Sequence, residues 1–129
     1  MSNCTITLHS TIEGKQTSSQ ARGTLTTDDD GAEVCYTDGG SEVSIVVTPS
    51  RVLITRAGDY GLSLPLENGK ITKGSIGISG ALGEITIDCE KLEYSIKKHA
   101  LLLIAQYDLV FGEERQSTGI RVYAKGDAV

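Results

Sequence analysis

The chain has 129 residues, enough for one core, and carries one Phe and no Trp, so Val, Ile and Leu must fill that core. Twelve basic against 17 acidic residues leave a net charge of −5. This argues against nucleic acid as a partner, because phosphate contacts need clustered Lys and Arg. No stretch reaches the apolar length of a signal h-region or a membrane span, so a cytoplasmic location with no membrane partner is expected.

In chain order, Cys4 to Glu13 alternates Ile6, Leu8 and Ile12 with Thr5, Thr7, His9 and Thr11, a half-buried strand. Gly14 and Lys15 supply the turn. Thr17 to Thr27 is weakly apolar, with Ala21, Gly23 and Leu25 on one parity, and a strand glycine marks a bend or a close approach. Asp28-Asp29-Asp30-Gly31 reads as a hairpin turn, in which both central residues of an Asp-Gly pair take positive φ. The three aspartates lack the alternating ligands and closing Glu of a calcium loop.

Ala32 to Thr37 is a short strand, turned by Asp38-Gly39-Gly40. Val43 to Thr48 and Arg51 to Ala57 form the next pair across Pro49. In the following run Leu62, Leu64 and Leu66 alternate with polar residues and Pro65. Pro65 donates no N–H, so an edge or a bulge is expected there, and this strand is the first candidate for an exposed edge. Asn68-Gly69 is a second hairpin turn, and Ile71 to Ile78 follows it. Glu84 to Cys89 and Leu92 to Ile96 read as two separate short strands. Lys97-Lys98-His99 between strands is a solvated turn.

Leu101 to Phe111 is the longest clean run. Leu101, Leu103, Ala105, Tyr107, Leu109 and Phe111 make one apolar face, and eleven residues extend about 36 Å. Leu102 and Ile104 make its first half apolar on both faces, so a covered end is expected there. Arg115 to Ala124 is the last strand, and Lys125 to Val129 reads as a frayed tail. Nine to eleven strands with short turns and no helical period predict an all-β fold. The reading is one domain, residues 1–129, an up-and-down antiparallel β-barrel of about eight to ten strands.

Order and spacing carry a resemblance. Arg56-Ala57-Gly58 ends a β-branched strand, and an Asn-Gly hairpin follows. Gly80-Ala81-Leu82-Gly83 then enters Glu84-Ile85-Thr86-Ile87, and Ile104-Ala105-Gln106-Tyr107-Asp108-Leu109 comes later. With Ile6-Thr7-Leu8-His9-Ser10 at the start, the pattern resembles the YwiB-like family of small bacterial β-barrel proteins. Leu82 departs from it, standing where relatives tend to have an aromatic. The resemblance implies a lipocalin-like (calycin) barrel and no established activity. The early Gly-x-Trp of secreted lipocalins is lacking, so their transport role is not implied.

No catalytic constellation stands out. Both histidines are far apart, and neither Gly-x-Ser-x-Gly nor His-Glu-x-x-His occurs. Cys4, Cys35 and Cys89 lack ligand spacing, so neither metal nor cofactor is expected, and Cys4 and Cys89 read as buried hydrophobes. Arg56 shares parity with Val52 and Ile54. If these face inward, its guanidinium lies near a barrel mouth and needs an anionic partner, either a ligand or an acid such as Asp88 or Asp108. Tyr107, Tyr94 and His9 are the further ligand-binding candidates. Two readings follow: a barrel holding a small anionic molecule in its mouth, or a filled barrel that acts as an interaction module or homodimer.

Overall fold

The computed structural model describes residues 2–58, 60–78 and 81–127. The expectations placed on Gly80 and on the last two residues of the tail lie outside these. Ten strands run in order: β1 (Ser2–Ile12), β2 (Lys15–Thr27), β3 (Ala32–Asp38), β4 (Ser41–Thr48) and β5 (Arg51–Ala57). They continue as β6 (Tyr60–Leu66), β7 (Ile71–Ile78), β8 (Ala81–Lys97), β9 (Ala100–Phe111) and β10 (Glu114–Gly126). Each pairs antiparallel with the next, and β10 pairs with β1, which closes an up-and-down barrel. Closure removes most of the free edges that so long a β9 would otherwise present.

The two runs Glu84–Cys89 and Leu92–Ile96 are one strand. A bulge between Cys89 and Lys91 inserts Glu90 without a partner on β9. The extra residue moves the inward set from odd positions (Ile85, Ile87, Cys89) to even ones (Leu92, Ile96). A parity switch reads in the sequence as a break between strands. The bulge is held from the β6–β7 turn: Gly69 N donates to Cys89 O at 3.0 Å, Cys89 N donates to Lys70 O at 3.1 Å, and Leu92 N donates to Asn68 Oδ1 at 3.0 Å.

Two turns differ from expectation. Between β2 and β3, Gly31 does not take positive φ. Asp28 Oδ1 instead accepts from the N–H of Asp30 and of Gly31, both at 2.8 Å, a side-chain-closed turn. Between β1 and β2 the two-residue turn is Glu13-Gly14, with φ of 50° and 82°.

The interior is packed with side chains from nine of the ten strands, and β7 adds none to the core cluster among the described residues. Ile6, Ile45, Leu66, Ile85, Ile87, Leu101 and Leu103 are fully buried, each contributing about 2 kcal/mol of apolar transfer. Cys4 and Cys89 are buried among them, and burial pushes both thiols up. Pro65 is buried and faces Leu53 on β5. The β6–β7 ladder stops at Ser63 and Ser75, and the Thr72 hydroxyl donates to Pro65 O beyond it. Pro65 therefore marks a gap in the wall rather than an exposed edge. The end of β9 expected to be covered on both sides is buried on one, while Leu102 and Ile104 are half-buried on the outer wall. The chain end is tied down through Asp127, whose N–H donates to Asn3 O at 2.9 Å.

Candidate functional site

Register places Arg56 on the inner face. Val43, Arg56 and Leu62 are cross-strand partners, flanked in the same row by Tyr36 and Ile76. Its side chain is 22% exposed, which puts the guanidinium at the barrel end. Arg56 Nη1 lies 3.1 Å from Asp38 Oδ2, and Nη2 donates to the Asp38 carbonyl at 3.3 Å. Asp38 is the residue before the Gly39-Gly40 turn, two positions beyond Tyr36 on the same inward parity. The anion at this mouth is thus supplied by the chain itself. Burial raises the Tyr36 phenol, the Asp38 charge adds to the rise, and the Arg56 charge opposes it.

The acids considered as internal partners are engaged elsewhere. Asp88 and Asp108 face each other across β8 and β9 on the outer wall. Arg115 Nη1 reaches Asp108 at 2.8 Å and Asp88 at 3.3 Å. Sequence spacing could not reveal this, since Arg115 meets Asp88 only through the register of three strands.

The other three candidates fall in separate places. Tyr107 is 6% exposed and inward, paired with Cys89 on β8 and Thr118 on β10. Burial pushes its phenol up to about 12, with the Cys89 charge adding to the rise. Among the described residues its hydroxyl has no hydrogen-bond partner. Tyr94 lies beyond the bulge, where its hydroxyl donates to Pro49 O at 3.0 Å and fastens the β8–β9 hairpin to the β4–β5 turn. His9 is exposed on the outer wall, opposite Arg121 on β10 and Ser18 on β2. His9 and Tyr107 therefore stand on opposite faces of the barrel wall, and the four residues do not share a pocket.

Two cavities open on the outer wall or its rim. One, of about 500 Å³, is lined by His9, Thr11, Gln16, Ser18 and Arg121 among others. The other, of about 420 Å³, lies around the Cys35 thiol with Arg22, Thr37, Glu42, Ser44 and Thr55. Burial raises the Cys35 thiol first, and the Glu33 carboxylate adds to that. Arg22 is held there by Asp127 at 2.5 and 2.8 Å and by the Thr5 hydroxyl at 2.7 Å. Neither cavity carried a motif in the sequence, because each is assembled from alternate residues of neighbouring strands. Among the described residues no three His, Cys, Asp or Glu side chains cluster as a metal would require, and no helix is long and apolar enough to cross a membrane.

A family model described as "Domain of unknown function (DUF1934)" matches residues 4–119. No curated protein matches. Among solved structures, the crystal structure of the ywiB protein from Bacillus subtilis aligns with a TM-score of 0.81 at 16% sequence identity, covering 98% of this chain and 93% of that one. At that identity the likeness shows the fold. The resemblance drawn from residue order is borne out by both findings, and so is the lipocalin-like, up-and-down barrel.

Proposed function

The chain belongs to the DUF1934 family, whose function is unknown, and from that premise we propose that it is a filled barrel that acts through its outer surface. The packed interior carries this reading. Large side chains from β1, β4, β6, β8 and β9 are fully buried against one another where a container would keep a lumen. Arg56 supports it too, because its guanidinium is already opposite the Asp38 carboxylate. The protein then works as an interaction module, alone or as a homodimer, and its location is the cytoplasm.

The second reading, a small anion held in the mouth with Arg56 as anchor, rests on the same inward guanidinium. It requires the anion to displace Asp38. Native mass spectrometry of protein purified from its own host separates the two. The filled barrel gives the bare polypeptide mass, as monomer or dimer, and Arg56→Ala costs about 1 kcal/mol of stability, as expected for a partly exposed ion pair. Extra mass that leaves on denaturation, and that Arg56→Ala abolishes, establishes the mouth-binding reading instead.

A further inference from the structure

The wall formed by β10, β1 and β2 carries a cleft that neither reading uses. His9 and Thr11 on β1, Arg121 on β10, and Gln16 and Ser18 on β2 all point outward. Register sets His9 between Arg121 and Ser18, and Thr11 opposite Gln16. Neighbouring strands are about 4.8 Å apart, so the groups on β10 and β2 bracket a space about 10 Å wide. That space is the cavity of about 500 Å³. We propose that this cleft binds a small oxyanion, the phosphate or carboxylate group of a small molecule.

Two observations point there. First, the lining contains no carboxylate, although acidic residues outnumber basic ones 17 to 12 in the chain. Second, Arg22, Arg56 and Arg115 each close on an aspartate, whereas Arg121 has no hydrogen bond or ion pair among the described residues. Its planar fork of donors suits a carboxylate or phosphate edge. Guanidinium, imidazole, hydroxyls and a carboxamide together form a donor-rich pocket with no carboxylate in its lining.

The test is titration of isotopically labelled protein with inorganic phosphate, and separately with acetate, followed by amide NMR. Saturable shifts confined to residues 9–11, 16–18 and 119–121 are expected. Arg121→Gln should weaken binding at least tenfold, and His9→Ala several-fold. Arg51→Gln, at the start of β5, should leave it unchanged. Tighter phosphate than acetate binding assigns a phosphate group, and the reverse assigns a carboxylate. Absence of shifts, shifts that do not saturate, shifts centred on Lys97–His99, or equal binding by Arg121→Gln each overturn the proposal. Because the cleft is on the outer wall, the outcome is independent of whether the interior holds a ligand.

Discussion

Tyr107 brings the largest aromatic side chain of β9 into the core without a protein partner for its hydroxyl among the described residues. The hydroxyl oxygen itself is not fully buried, so it keeps some hydration and Tyr107→Phe should change stability by less than about 1 kcal/mol at pH 7. The phenol is pushed up to about 12 by burial, against about 10 in the unfolded chain. A raised folded value means that the folded state favours the neutral phenol. Its contribution is complete below pH 10 and is lost as pH rises from 10 through 12. At pH 11 the loss is about 1.4 kcal/mol. Denaturant midpoints of the two proteins between pH 9 and 11.5 should therefore diverge in favour of Tyr107→Phe. A smaller alkaline slope remains in both from Tyr36, whose phenol burial also raises. Parallel curves would show that the Tyr107 hydroxyl is solvated.

Strand pairs meet closely at Gly23. Its backbone is not in the positive-φ region, so the requirement is one of space. A Cβ there would lie 2.1 Å from the Cys35 carbonyl oxygen and 2.9 Å from Ile6 Cδ1 and from Tyr36 Cβ. Backbone cannot yield as a flexible side chain can, so Gly23→Ala should destabilise the barrel by at least about 2 kcal/mol in urea unfolding. The sequence signalled this glycine because it falls on the apolar parity of a weak strand, and it signalled the bounds of β5 and β7 for the same reason of period. What it hid follows from register. The β8 bulge shifts parity at Glu90, so one strand reads as two. The turn at Asp28 is closed by a carboxylate rather than by positive φ at Gly31. The partner of Arg56 is eighteen residues upstream across a hairpin, and that of Arg115 lies on two other strands. Alternation gives the face of each residue, but it carries no information about which residue of the next strand lies opposite.

At the scale of the molecule the barrel is uneven in height. β1 pairs with β2 and β10 over most of its length, whereas β3 covers only five residues of β2. The first half of β2 thus stands as an open edge within a nominally closed barrel, and Lys15 to Gln20 are all polar and exposed. An open edge with an apolar face would recruit a further strand, and a run of polar side chains is one way in which chains suppress such pairing. Alternate amides of an antiparallel strand point to opposite neighbours. Between Lys15 and Arg22, the amides directed at β1 should be protected from hydrogen exchange. Those directed away should exchange at rates near those of an unfolded chain. The amides of Leu101 to Ala105, bonded between β8 and β10 in the packed wall, should exchange only through global opening. If every amide from 15 to 22 proves slow in dilute protein, something covers the β2 edge. Repeating the measurement across protein concentrations then identifies a second copy of the chain as the cover if protection falls on dilution.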